Sequence, residues 1–414
     1  MLNQLPRNVQ FSVLEYLDYK DLGSIFLVNR SLLKLARSDS LWEQHCRRYW
    51  LLSQVLVAEG LTSWYDSFRH MYRDWGRYID CYAAVAGAWR LIRSWAAAHC
   101  PSLANSFLVG LTEAELDDLE AHLHFRLPAD IRCSYRLCNG QRMCANTNGG
   151  LFGSYGAFEG VSDFLVPFRG RYHGMYRIST ICKGSIPLVK CTSDGSPPIV
   201  YCAVDWPEQC IKAGTVFSLR CPAEMAYQMD RSPMTLFVYA ESFVDFLTDY
   251  VRSLPHRVVD PRTGSILKFL PNSEARTGPF LVRTATCFVR ELSDPGRVFF
   301  NYRITMFMDG TASPADSCQL ETRHWTITDL NGHTEHVDGP GVVGQFPIMR
   351  PGAEFTWISG TSFETTDGGS MSGYFMMRNL RDGSQIRIEC GEFVLRPPTI
   401  STLPSRQGEW FYDA

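Results

Sequence analysis

The period of the hydrophobic pattern changes twice along the chain. From the N-terminus to about residue 75, apolar positions recur at helical spacing. Val9, Val13, Leu14 and Leu17 mark a first helix, with Pro6 at a first helical position where a missing N–H does no harm. Leu22, Ile25 and Phe26 predict a second short helix. Ser40-Leu41-Trp42-Glu43 predicts a capping box, in which the Ser40 hydroxyl accepts from the Glu43 N–H and the Glu43 carboxylate reaches back, opening a helix through Cys46 and Tyr49. Aromatic residues continue through Trp64, Tyr65, Phe68, Tyr72 and Trp75.

Between about 78 and 250 the pattern is mixed. Thr112-Glu113-Ala114-Glu115 is a second capping box, followed by Leu116, Leu119 and Leu123 on one helical stripe. A polar, glycine-rich loop spans Asn139 to Gly150. Short strands are predicted at Val161–Val166, Ile186–Val189 and Ile199–Tyr201, and a helix at Ser242–Tyr250. Residues 251–277 read as a linker: Pro255, Pro261, Gly264 and Pro271 break any period, with a buried strand segment at Ile266–Leu270. From Phe280 on the period is two. Phe280, Val282, Thr284, Thr286 and Phe288 alternate with the opposite face, as do Phe300, Tyr302, Ile304, Met306 and Met308. Trp325 and Ile327 lead to an Asn331-Gly332 hairpin turn. Further strands are predicted around Phe355–Trp357, Tyr374–Met376, Ile386–Ile388 and Phe393–Leu395, together an antiparallel sandwich.

Composition narrows the function classes. The 414 residues are 45% hydrophobic and 20% charged, enough apolar content for substantial cores in two or three domains. A net charge of -3 excludes a global field for nucleic acid or an anionic membrane. The start, Met1-Leu2-Asn3-Gln4-Leu5-Pro6-Arg7, is not a signal peptide, and the apolar stretch Cys81–Trp89 is too short to span a bilayer. Fourteen cysteines occur without a Cys-x-x-Cys, so the thiols are expected reduced and buried, with no metal and no cofactor. The expected compartment is cytoplasm and/or nucleus.

Catalytic signatures are missing too. There is no Gly-x-Ser-x-Gly. His324, His333 and His336 lie close in sequence, but nothing is spaced to complete a metal sphere, so they read as solvated hairpin residues. Gly339-Pro340-Gly341-Val342-Val343-Gly344 fits G-x-G-x-x-G literally, yet a dinucleotide site needs that motif between a strand and a helix. Here it lies among strands and Pro340 removes an amide donor, so a rigid exposed partner loop is expected.

The N-terminal series resembles an F-box. Leu5-Pro6, Leu14, Leu17, Asp18-Tyr19-Lys20-Asp21-Leu22, Val28-Asn29-Arg30 and Leu41-Trp42 follow the family's order. The resemblance implies a helical trio docking a Skp-type adaptor, with Leu5, Pro6, Val9, Leu14, Leu17, Leu22, Ile25, Val28 and Trp42 at or near the contact. Asn29 stands where the family often has a small residue. A module this short cannot bury both sides of its helices, so outward apolar residues would be a partner surface. The capped helix after Thr112, Leu127-Pro128-Ala129-Asp130 and Leu137-Cys138-Asn139-Gly140 resemble the start of a SUKH domain, a protein-binding platform.

Residues 278–398 resemble an ApaG domain. The matching series is Arg323-His324-Trp325-Thr326-Ile327-Thr328-Asp329, the Gly339–Gly344 loop, Pro351-Gly352, Ser359-Gly360-Thr361 and Met371-Ser372-Gly373-Tyr374. The implied fold is multidomain: an all-α F-box with following helices (1–75), an α+β SUKH-like domain (78–250), a linker (251–277) and an all-β ApaG domain, a fibronectin-like β-sandwich (278–400). The combination resembles the F-box-only proteins with this trio. It implies a non-catalytic substrate-recognition subunit of a Skp–cullin–F-box E3 ubiquitin ligase, reaching cullin and a RING subunit through the adaptor and recruiting an unknown protein substrate. The alternatives are an adaptor-bound scaffold outside the ligase, or a phosphate- or nucleotide-binding ApaG protein.

Overall fold

The structure is a computed structural model that describes residues 5–142, 149–154, 162–168, 184–191, 199–207, 211–220, 234–260, 264–293 and 296–403. It is multidomain, with a helical N-terminal module, a mixed central module and an all-β C-terminal sandwich.

The N-terminal helices are short, and three of the five start on a capping side chain. They are α1 (Arg7–Leu14), α2 (Tyr19–Ile25), α3 (Arg30–Ala36), α4 (Asp39–Trp50) and α5 (Trp64–Trp75). The Asp18 carboxylate accepts from the Lys20 and Asp21 N–H groups, both at 2.8 Å, and starts α2. Asn29 accepts from Leu32 N–H at 2.9 Å and starts α3, which gives this residue a local reason to stand there. The capping box expected at Ser40 does not form. Helix α4 begins earlier, at Asp39, and Glu43 pairs with Arg47 at 2.7 Å instead. The Asp39 carboxylate accepts from Trp64 N–H at 2.6 Å, tying α4 to the start of α5. Leu14, Leu22, Leu41, Trp42, Trp50 and Phe68 form the shared core, and the Trp42 indole N–H is satisfied by Ala36 O at 2.7 Å.

One long helix joins the first module to the second. Helix α6 (Ile79–His99) contributes Ile79 to the N-terminal core and Val85, Trp89 and Ile92 to the central core. The central module continues with α7 (Pro101–Ala104), β1 (Phe107–Val109), α8 (Glu113–Leu123), α9 (Ala129–Leu137) and β2 (Cys138–Gln141), which pairs with β1. At α8 the expected box is present: Thr112 Oγ1 accepts from Glu115 N–H at 3.2 Å, and Glu115 accepts from Thr112 N–H at 2.9 Å. Strands β3 (Gly153–Ser154), β4 (Ser162–Leu165), β5 (Ser185–Cys191), β6 (Ile199–Cys202), β7 (Val216–Arg220) and β8 (Met234–Ala240) pair antiparallel in sequence order, and α10 (Phe243–Ser253) packs on them. The predicted strands at 161–166, 186–189 and 199–201 fall on β4, β5 and β6. Val161, residues 143–148 of the polar loop and the segment Gly408–Ala414 lie outside the described residues.

The C-terminal strands are β9 (Leu270–Thr277), β10 (Phe280–Phe288), β11 (Val298–Met308), β12 (Cys318–Asp329), β13 (Thr334–Pro340), β14 (Ile348–Met349), β15 (Glu354–Phe363), β16 (Gly369–Asn379) and β17 (Gln385–Leu395). One sheet runs β15-β11-β10-β9 and the facing sheet β13-β12-β16-β17, with β14 on β12. The predicted alternation lands as read: Phe300, Tyr302, Ile304, Met306 and Met308 all point into the sandwich core with Trp325, Phe375 and Phe393. The two runs predicted at 386–388 and 393–395 are halves of a single strand, β17. Asn272 clamps the two sheets at one side, accepting from Val394 N–H at 3.0 Å and donating to Val394 O at 2.6 Å.

Two boundaries differ from the expectation. Most of the segment read as a linker is built into the fold: α10 runs to Ser253, Ile266 pairs with Val259, Leu267 pairs with Ser154, and β9 begins at Leu270. Its prolines break a regular period but not isolated bridges, and fully buried Phe269 makes the segment core. The boundary at 400 falls inside a last strand, β18 (Thr399–Leu403), which leaves the sandwich and pairs with β8.

Candidate functional site

Helix α1 divides its apolar residues between two faces. Leu5, Val9 and Val13 follow each other at i, i+4 spacing and are exposed, as is Pro6. Tyr16, just beyond the helix, is 91% exposed. At the α2–α3 turn Leu27 is 89% exposed and Val28 is exposed beside it. The approach to the helix is fixed from within, because buried Gln10 donates from Nε2 to Leu5 O at 2.9 Å. Of the residues expected at an adaptor contact, Leu5, Pro6, Val9 and Val28 therefore lie on the surface. Leu17 and Ile25 are half-buried against the module's core.

Leu14, Leu22 and Trp42 are corrections. Leu14 and Leu22 have no exposed surface and Trp42 has 3%, so these three hold the helices together and offer nothing to a partner. Sequence reasoning assigned no contact role to Val13, Tyr16 and Leu27. For Val13 the signal was present, since it shares the Val9 stripe.

A charged network sits where the N-terminal helices meet the central module. Arg132 on α9 is fully buried. Its Nη2 donates to Glu113 Oε2 and Asp117 Oδ1, both at 2.6 Å, its Nη1 lies 2.8 Å from Glu120, and its Nε donates to the Tyr78 hydroxyl at 3.0 Å. One turn on, Arg136 donates to the Asp74 carboxylate at 2.9 Å and stacks 3.9 Å from the Trp75 ring centre. Asp74 and Trp75 close α5, so this guanidinium spans the two modules. Burial raises the Glu113 carboxyl, but hydrogen bonds from Tyr78 and Arg132 and the nearby guanidinium charges outweigh it and hold the group below its usual range.

The loop Gly339–Gly344 is a tight turn between β13 and β14. Val342 and Gln345 exchange backbone hydrogen bonds at 2.9 and 2.8 Å, leaving Val343 and Gly344 as the central pair. Both have positive φ, 45° and 75°, the signature of a type I′ turn. At Gly341 a Cβ would lie 2.5 Å from Gln345 O, so glycine is required. Arg323 braces the loop by donating to Pro340 O and Gly341 O at 3.0 and 2.9 Å. Val342 is buried in the sandwich, whereas Val343 is half exposed beside exposed Phe346 and Ile348. No helix follows Gly344, so the arrangement that holds a dinucleotide pyrophosphate is not built here.

The three histidines do not converge. His324 bonds Asp338 at 2.8 Å and Thr322 at 2.9 Å and stacks on Tyr374, and His336 bonds Thr326 at 3.2 Å. Among the described residues no cluster of His, Cys, Asp or Glu is arranged to hold a metal. No described helix is long and apolar enough to cross a membrane.

Comparison with known families matches all three modules. An F-box-like model covers residues 2–48, the SMI1/KNR4 family (SUKH-1) covers 110–249, and the ApaG domain covers 290–379. "F-box only protein 3" of Bos taurus is 36% identical over 381 residues, 90% of this chain and 78% of that protein. The chain belongs to the F-box-only proteins that join an F-box, a SUKH domain and an ApaG domain. The "F-box protein SKIP16" of Arabidopsis thaliana is 25% identical over 437 residues, 93% of this chain and 96% of that protein. "Protein ApaG" of Stenotrophomonas maltophilia is 40% identical over 119 residues, 28% of this chain and 89% of that protein. In this F-box protein the SUKH and ApaG modules share a sheet edge through β18.

Proposed function

We propose that this F-box protein is the non-catalytic substrate-recognition subunit of a Skp–cullin–F-box E3 ubiquitin ligase. The F-box docks the Skp-type adaptor, and the SUKH and ApaG modules recruit a protein substrate. The observation that carries this reading is the exposed apolar stripe Leu5–Val9–Val13, with exposed Tyr16, Leu27 and Val28 in the same module, outside a core built from Leu14, Leu22, Trp42 and Phe68. Monomeric surfaces seldom leave such a stripe bare without a partner. A receptor of this kind raises the effective concentration of a substrate lysine near the ubiquitin-charged enzyme, and needs no reactive group of its own. The described thiols of Cys46, Cys133, Cys202, Cys318 and Cys390 are free and buried, which suits work in the reducing cytoplasm or nucleus.

The test is adaptor pull-down with the full chain carrying Leu5→Ala and Pro6→Ala, or Val9→Asp. Truncating an interface hot spot typically costs about 2 kcal/mol or more. Adaptor capture should be lost while the melting temperature stays unchanged. Undiminished capture by both variants would refute the docking role.

A further inference from the structure

The central module and the sandwich enclose a cleft of about 620 Å³ that has no part in the F-box contact. One wall is Phe152, Phe246 and Tyr250, and the other is Phe288 and Val394 on the sandwich side. Such a volume suits a few side chains of an inserted ligand. The charges around it run against the chain's overall negative balance. Arg257, Lys268, Arg290 and Arg396 line the cleft, and Asp249 is the one acid among the lining residues. That carboxylate already pairs with Arg252 at 3.0 Å.

Arg257 is the distinctive group. It follows α10 and is half-buried. Its Nε donates to Ser253 Oγ at 2.9 Å, its Nη1 makes a long 3.4 Å bond to Leu267 O, and its guanidinium lies 4.9 Å from the Tyr250 ring centre. No carboxylate among the described residues is within ion-pair distance of it. Burial weakens its hold on the proton, yet a guanidinium remains charged at neutral pH. By contrast, fully buried Arg132 has three acids around it. A half-buried cation held by a hydroxyl, a carbonyl and a ring is left without a counter-charge among the described residues, an arrangement that an anion from a ligand would complete. Arginine and aromatic residues facing one another are also the composition of protein-recognition hot spots.

We propose that this cleft is a composite peptide-recognition site, formed jointly by the SUKH and ApaG modules, that takes an extended segment carrying an anionic side chain beside an apolar one. Arg257 pairs with the anion and the aromatic walls cover the apolar neighbour. This deepens the receptor reading by naming the surface that would take the recruited protein, and it rests on that reading.

The experiment is a peptide array probed with the full-length protein. Each sequence is presented with Asp or Glu, with phosphoserine or phosphotyrosine, and with the neutral counterpart of each. Anionic versions should bind at least tenfold better than neutral ones, and the two anionic arms distinguish carboxylate from phosphate. Arg257→Gln should remove that preference. Arg396→Gln, at the exposed rim, should weaken it several-fold and serves if Arg257→Gln folds poorly. Equal binding of charged and neutral peptides, or unchanged preference in both variants, would overturn the proposal. Adaptor pull-down does not involve Arg257, so failure here leaves the receptor reading standing, and failure there leaves this result interpretable.

Discussion

Val9 and Leu14 lie on the same short helix and have opposite fates. Val9 faces outward, and Leu14 has no exposed surface. Leu14→Ala should therefore lower stability by about 2–5 kcal/mol in chemical denaturation, whereas Val9→Asp should leave the denaturation midpoint where it is. Arg132 holds three acids at once. Arg132→Met strands Glu113 and Glu120 beside an apolar side chain, and about 3 kcal/mol should be lost. The same cluster sets an acid limb. Because the folded Glu113 carboxyl titrates below its ordinary value of 4.5, its contribution is complete above that pH and is lost as pH falls through the lowered folded value. The melting temperature should fall on acidification below about 4.5, and Glu113→Gln should flatten that fall. Helical spacing made the apolar residues of α1 legible in the sequence but not their direction. Which face turns inward depends on α2 to α5, and that is why Leu14, Leu22 and Trp42 were read as contacts when they are core.

At the scale of elements, local chemistry was readable where a signal had no competitor. The Thr112 box forms as its residues dictate. The Ser40 box does not, because Asp39 is drawn to the start of α5 and Glu43 to Arg47, partners that no local pattern displays. The alternation in β10 and β11 was unambiguous, since both strands carry long apolar series at period two. The turn after β13 shows a remaining strain. Val343 is β-branched and occupies a positive φ that type I′ turns reserve for Asn or Gly. Val343→Asn should raise stability by about 1 kcal/mol, read as a higher melting temperature. An unchanged or lower melting temperature would mean that the exposed valine is held by neighbours that outweigh its backbone cost.

Across the whole molecule, the three-module order was legible and the joints between modules were not. Helix α6 serves two cores, Arg136 ties α5 to α9, and β18 returns from the sandwich to β8. Each joint pairs residues far apart in sequence, beyond the reach of any local period. The full chain should accordingly melt in one cooperative transition, followed by calorimetry, and removal of residues 1–75 should lower its midpoint by baring Ile79 and Tyr82 on α6. Two separated transitions in the full chain would show instead that the modules are energetically independent. A helix shared between the N-terminal and central cores suits the proposed receptor, which must present its cargo at a set distance. The most direct test of that role is native mass spectrometry of the full chain mixed with a Skp-type adaptor, cullin and RING subunit. A receptor predicts one complex containing all four, lost with Val9→Asp, whereas a mass that stops at this chain and the adaptor would contradict it.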